Sequence, residues 1–135
     1  MKYYLIAGEP SGDLHGSKLI AGLRKADPQA EFRFWGGDLM AAEGGKEGLA
    51  MHYREASFFG FMTVLRNLRK IGRQFAECRA DVEHFAPDVL ILIDYPGFNF
   101  KIAEFAHKAG FKVFYYIAPK VWASREGRIK KLKAY

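Results

Sequence analysis

The sequence predicts an α/β fold in which a parallel sheet is covered by helices. Three observations carry that expectation. Short apolar runs alternate with longer stretches of helical period along the 135 residues. Turn-forming clusters separate them, so that strand, loop and helix recur in that order. The run Val89-Leu90-Ile91-Leu92-Ile93 is continuous in β-branched residues and leucine, the profile of a strand buried on both faces.

Each element follows from local chemistry. Residues 2–7 form an apolar strand, closed by Gly8-Glu9-Pro10-Ser11-Gly12-Asp13. Residues 14–26 set Leu14, Ile20 and Leu23 among Lys18, Arg24 and Lys25, which is helical, and Asp27-Pro28 ends them. Residues 31–35 alternate Phe32 and Phe34 with charge, as a second strand. Asp38 is placed to cap a short helix through Ala42, and Gly44-Gly45 closes it. Residues 48–53 are a weaker strand candidate. Residues 57–85 hold no proline and read either as one helix or as two, with Gly72 as the candidate break. After the strand at 89–93 comes the loop Asp94-Tyr95-Pro96-Gly97. Residues 98–109 are then helical with Gly110 as C-cap, residues 112–117 are a strand, and residues 124–135 are a basic helix.

The length suits one compact domain, and 50% hydrophobic with 27% charged residues is a globular balance, not a disordered one. A net charge of +6 is compatible with phosphorylated small molecules, anionic membrane or nucleic acid, and equally with a solvated basic surface. The single cysteine, Cys78, cannot form an internal disulfide, which predicts a reducing compartment and a buried thiol. The N-terminal apolar run is too short for a signal peptide, and no run approaches a membrane span. A cytoplasmic protein is expected. The last residues, 130–135, carry no terminus-like signal, which predicts that the sequence belongs to a longer protein.

In parallel sheets ligands bind beyond the carboxyl ends of the strands, so the informative loops are residues 8–13, 36–40, 94–99 and 118–125. The first has neither the dinucleotide nor the P-loop glycine pattern, and its Glu9 and Asp13 would repel a diphosphate. Carboxylates accept hydrogen bonds from sugar hydroxyls, so a hydroxyl-rich ligand suits Glu9, Ser11, Gly12 and Asp13 better. Alternatively, Ser11 or Asp13 caps the following helix. Asp94 directly follows the most hydrophobic strand, where partial desolvation favours a general base. Position alone leaves open that it accepts N–H bonds within its own turn. Asn99 follows near the start of the next helix. In the last loop Lys120, Trp122 and Arg125 place an aromatic beside cations, as sugar stacking and phosphate binding require, although Trp122 would also serve as a core cap. The histidines show no metal-ligand spacing; His15 lies close to the first loop.

Between Phe58 and Phe75 the apolar side chains exceed what a core stripe needs. Phe61, Met62, Val64, Leu65 and Leu68 are interleaved with Arg66, Arg69 and Lys70. An interfacial helix combines apolar residues and cations in this way, and so does a core helix with a solvated basic side.

Four segments, taken together, resemble the lipid-A-disaccharide synthase family. They are Ala7-Gly8-Glu9-Pro10-Ser11-Gly12-Asp13, Phe58-Phe59-Gly60-Phe61-Met62-Thr63-Val64-Leu65, Ile93-Asp94-Tyr95-Pro96-Gly97-Phe98-Asn99 and Tyr116-Ile117-Ala118-Pro119-Lys120-Val121-Trp122-Ala123. The stretch Gly36-Gly37-Asp38-Leu39-Met40 is similar to a turn of that family as well. The chain departs from many relatives at Gly97, where they carry Asp, and at Ser124, where they carry Trp.

The resemblance implies a Rossmann-like three-layer parallel sheet, the N-terminal acceptor-binding domain of a two-domain GT-B glycosyltransferase. Residues 1–135 would be an incomplete part of it, without the C-terminal UDP-sugar-binding domain and inactive alone. The implied reaction is inverting transfer from UDP-2,3-diacylglucosamine to 2,3-diacylglucosamine 1-phosphate, with no metal or other cofactor. Asp94 would be the base, and Glu9, Ser11, Gly12, Asp13, Asn99, Lys120, Trp122 and Arg125 would hold substrate. The partners implied are the acylated sugar phosphate, the donor and the inner face of the inner membrane, and not nucleic acid. The competing expectation is a nucleotide- or flavin-binding module without transfer activity, against which the missing glycine fingerprint counts.

Overall fold

A computed structural model describes residues 1–55, 68–93 and 96–116. Five parallel strands form one sheet in the order β3-β2-β1-β4-β5. They are β1 (Lys2–Ala7), β2 (Glu31–Gly36), β3 (Leu49–His52), β4 (Val89–Ile93) and β5 (Val113–Tyr116). The helices are α1 (Pro10–Ala26), α2 (Asp38–Gly44), α3 (Leu68–Phe85) and α4 (Pro96–Lys108), with a 3-10 turn at Lys46–Gly48. This is the helix-covered parallel sheet that the alternating pattern predicts, and the α/β, three-layer Rossmann-like architecture that the resemblance implies.

Strand periodicity divides the sheet into two cores. Tyr3, Leu5, Ala7, Ile91 and Ile93 point to one face, where they meet Ile20 of α1 and Met40 of α2. Tyr4, Ile6, Leu90 and Leu92 point to the other, where Cys78 and Val82 of α3 and Phe98, Ile102 and Ala106 of α4 cover them. The Trp35 ring stacks on Phe98 at 5.2 Å, and Phe75 meets Phe98 edge-on at 5.8 Å. β4 is therefore buried on both faces, as its unbroken apolar run requires.

Helix ends differ from the expected ones in informative ways. α1 begins at Pro10 and not at residue 14, because proline at the first helical position gives up an N–H that has no helical partner anyway. Ser11, Gly12 and Asp13 thus belong to its first turn, and neither Ser11 nor Asp13 caps it; the N-cap, Glu9, makes no side-chain cap bond. α2 is capped by Gly37, and Asp38 lies inside its first turn. α3 passes through Gly72 without a break. At the end of α4, Gly110 takes a left-handed φ of 85°, Gly110 N–H donates to His107 O at 3.2 Å and Phe111 N–H to Ala106 O at 2.9 Å. That pair of bonds is a Schellman closure, and it explains the glycine. The basic helix expected at 124–135 lies outside the described residues.

α3 is fastened to the sheet by polar bonds as well as by packing. The Tyr4 hydroxyl, fully buried, donates to Asp81 Oδ2 at 2.6 Å, and Arg33 Nε donates to the same oxygen at 2.6 Å. Burial, with the Asp81 bond adding to it, holds the Tyr4 hydroxyl protonated well above the ordinary phenol range. Burial likewise pushes the Cys78 thiol up, so it stays neutral and unreactive. Asp81→Ala would leave the buried hydroxyl unsatisfied and should lower stability by about 1–3 kcal/mol. Adding Tyr4→Phe to that variant should restore part of the loss. The urea midpoints of the two variants check this, and an unchanged midpoint for Asp81→Ala would show that the bond contributes nothing.

Candidate active site at the carboxyl edge of the sheet

The chain leaves β1 and β4 in opposite directions. Ala7 and Ile93 are paired neighbours at the ends of these strands. After Ala7 the chain turns into α1 on one face; Pro96 opens α4 on the other. Strand order reverses between β1 and β4, and the two chain directions leave a crevice there, the position at which parallel sheets of this type bind ligands.

Asn99 sits at the root of this crevice. Its side chain is fully buried, and Nδ2 donates to Ile6 O at 3.3 Å and to Ile93 O at 3.5 Å. The amide therefore bridges carbonyls near the carboxyl ends of β1 and β4, the penultimate one of β1 and the last of β4, and ties the start of α4 to both strands. On the β1 side, the Ser11 hydroxyl donates to Glu9 Oε1 at 3.1 Å. A half-buried carboxylate and a hydroxyl thus stand together at the mouth, and both accept hydrogen bonds from hydroxyl groups. His15, one turn further along α1, lies against the Tyr116 ring at the end of β5, with centroids 5.4 Å apart.

Gly12 and Asp13 have other neighbours. A Cβ on Gly12 would meet Ala7 Cβ at 3.0 Å and Ile93 Cγ2 at 3.7 Å, so the glycine lets α1 lie close on the sheet. Asp13 is 3% exposed, and its carboxylate accepts from the backbone N–H groups of Gly37, Leu39 and Met40. Asp94, Lys120, Trp122 and Arg125 lie outside the described residues. So do Phe61, Met62, Val64, Leu65 and Arg66, together with the side chains of Leu68 and Lys70; Arg69 is exposed at the start of α3.

The sequence reading overlooked a polar cluster at the ends of β2 and β3. His52 Nε2 lies 3.2 Å from Asp38 Oδ1, Arg54 Nη2 donates to Asp38 Oδ2 at 3.3 Å, and Arg54 N–H donates to His52 Nδ1 at 3.1 Å. The backbone donor requires Nδ1 to be an acceptor, so the proton of the neutral ring is on Nε2, facing Asp38. Only the weak strand pattern at residues 48–53 hinted that these side chains reach the carboxyl edge. Among the described residues, no group of three or more His, Cys, Asp or Glu side chains is gathered as a metal site, and no helix is long and apolar enough to cross a membrane.

A second concavity, about 610 Å³, runs between α3 and α4. Arg79 covers its Phe75 and Phe105 floor at 5.8 and 5.0 Å, and Glu104 of its lining is paired with Lys108 at 3.4 Å. It lies along the helices, away from the strand ends.

A family model described as lipid-A-disaccharide synthetase matches residues 3–135. The lipid-A-disaccharide synthase of Trichlorobacter lovleyi is 42% identical over 129 residues, covering 96% of this chain and 33% of that protein. The protein of the same name from Coxiella burnetii is 41% identical over 131 residues, covering 97% and 34%. That from Geobacter sulfurreducens is 43% identical over 128 residues, covering 95% and 33%. The chain thus spans about a third of the length of the curated relatives it matches.

The close seat of α1 yields a direct prediction. Gly12→Val would drive branched methyls against Ala7 and Ile93 and lift the first turn of α1, carrying Glu9 and Ser11 with it. Stability should fall by about 1–3 kcal/mol, read as a lower urea midpoint. An unchanged midpoint would mean that the helix is not held this tightly.

Proposed function

This chain belongs to the lipid-A-disaccharide synthase family, and on that premise we propose that it is the acceptor-binding domain of an inverting glycosyltransferase of lipid A biosynthesis. The acceptor is 2,3-diacylglucosamine 1-phosphate, seated in the crevice between the β1 and β4 loops. The donor, UDP-2,3-diacylglucosamine, is bound by a second domain in the part of the relatives that this chain does not span. The observation that carries the reading is the pairing of Glu9 with Ser11 at the switch point of a parallel sheet, without a phosphate-binding glycine fingerprint. Those groups suit sugar hydroxyls and repel a diphosphate.

In this mechanism the acceptor's 6-hydroxyl attacks the anomeric carbon of the donor. The new C–O bond forms as the bond to UDP breaks, configuration inverts, and the hydroxyl proton passes to Asp94. What supports this choice is the sequence position of Asp94, a carboxylate directly after the apolar run of β4. Glu9 and Ser11 hold the acceptor, while Lys120, Trp122 and Arg125 supply stacking and phosphate contacts. No metal is needed, because helix N-termini and cations of the second domain can stabilise the departing diphosphate.

Two predictions follow from this assignment. In the full-length enzyme, Asp94→Asn keeps the shape of the side chain but cannot take the proton, so kcat should fall about 10²–10⁴-fold with acceptor KM nearly unchanged. Glu9→Gln should act at least partly through KM. Near-normal kcat in Asp94→Asn with activity abolished in Glu9→Gln would move the base to the first loop.

The other concerns the membrane. We assign the apolar and basic segment around Phe61, Met62, Val64, Leu65, Arg66, Leu68, Arg69 and Lys70 to contact with the cytoplasmic face of the inner membrane, where acylated substrates reside. Replacing Met62, Val64, Leu65 and Leu68 with Ser should reduce sedimentation with anionic vesicles while the fold persists. Unfolding of the variant would assign these residues to the core instead.

A further inference from the structure

Asp13 shares a segment with Glu9 and Ser11, but protein donors occupy its carboxylate. Oδ1 accepts from Gly37 N–H at 2.8 Å and from Met40 N–H at 3.0 Å, and Oδ2 accepts from Leu39 N–H at 3.1 Å. These are N–H groups at the start of α2, whose N-cap residue, Gly37, has no side chain to serve them. The acceptor arrives from α1, 24 residues earlier in the chain. The turn is built around this carboxylate: a Cβ at position 37 would lie 2.8 Å from Asp13 Oδ2 and 2.4 Å from Tyr53 Cε2. On its far side the same turn is bonded to the end of β3, with Tyr53 N–H donating to Gly36 O at 2.8 Å and Asp38 contacting His52 and Arg54.

One buried side chain therefore joins the helix that begins at Glu9 and Ser11 to the turn that ends β2, and that turn is itself bonded to the end of β3. We propose that Asp13 is a positioning residue for acceptor binding, which touches no sugar and acts by fixing the Gly36-Gly37 turn and α2 relative to Glu9 and Ser11. This role rests on the reading of the crevice as an acceptor site. It replaces the expectation of direct substrate contact by Asp13 with a structural route to the same substrate dependence.

The test uses the full-length enzyme with Asp13→Ala, Asp13→Asn, Gly37→Ala and the Asp13→Ala/Gly37→Ala double variant. Acceptor and donor kinetics are measured together with amide hydrogen exchange. Asp13→Ala should lower kcat/KM for the acceptor on the order of 10²-fold, mostly through KM, and leave donor KM unchanged. Asp13→Asn retains an acceptor oxygen for Gly37 and Met40 and should lose less; it also serves if the alanine variant folds poorly. Exchange at Gly37, Leu39 and Met40 should accelerate while β4 stays protected. The double variant should be no worse than the worse single one, because both act through one turn.

Multiplying losses, with exchange at residues 37–40 unchanged, would overturn the role and put the carboxylate on the acceptor. An active wild type with an indifferent Asp13→Ala would overturn the role alone. A wild type that binds no acceptor would overturn the reading of the crevice, and this role with it.

Discussion

Helix α1 reaches the sheet as closely as it does because positions 12 and 16 carry no side chain. A Cβ at Gly12 would press on Ala7 at 3.0 Å, and one at Gly16 would meet Met40 Sδ at 2.6 Å and Ile93 Cδ1 at 3.1 Å. The two glycines seat the helix against β1, β4 and α2 together. That seat brings the Asp13 carboxylate within reach of the N–H groups of α2, and it lets the Met40 thioether lie buried against the helix. It also sets where Glu9 and Ser11 emerge, since both are at the start of the same rigid helix. Helix–sheet packing and crevice geometry are thus one constraint, expressed at two heights of α1.

The two ends of the sheet are finished differently. At the amino edge, charged groups are consumed in closing the structure. The N-terminal ammonium binds Asp27 at 2.8 Å, and Lys2 N–H donates to Asp88 at 2.7 Å. The ammonium bond holds the Asp27 carboxylate below the usual carboxylate range. At the carboxyl edge the structural work falls to Asn99 and Asp13, both buried, while Glu9, Ser11, Asp38 and Arg54 keep at least part of their surface open to solvent. A parallel sheet makes this division natural, because all its connections place their ligand-facing loops on one edge.

Much of this was legible in the sequence, for identifiable reasons. β1 and β4 have the limits that their apolar runs predict, since both are buried on two faces and end on turn-forming residues. The β-loop-α order also predicts that residues 8–13 and 36–40 gather at the carboxyl edge of the sheet, where they are found. What was hidden depends on partners distant in the chain. Asp38 looked like the cap of α2, because local patterns offer only local caps; the acceptor comes instead from Asp13 on another helix. Gly12 resembled a loop residue because nothing nearby reveals that Ala7 and Ile93 lie against it. Asn99 was visible as a polar residue at a helix start, but one of its acceptors, Ile6 O, belongs to a strand 93 residues away in the chain. His52 and Arg54 belong to a strand end with a faint pattern and no motif.

The central claim is that the crevice between the β1 and β4 loops holds the acylated sugar phosphate. The most direct measurement is amide hydrogen exchange of the full-length protein with and without 2,3-diacylglucosamine 1-phosphate, with no donor present. The account predicts that protection is gained at the carboxyl edge, at Gly8, Glu9, Ser11 and the first turn of α4, and not at the amino edge around Ala30 and Glu31. Protection confined to the groove between α3 and α4, around Phe75, Arg79 and Phe105, would contradict it.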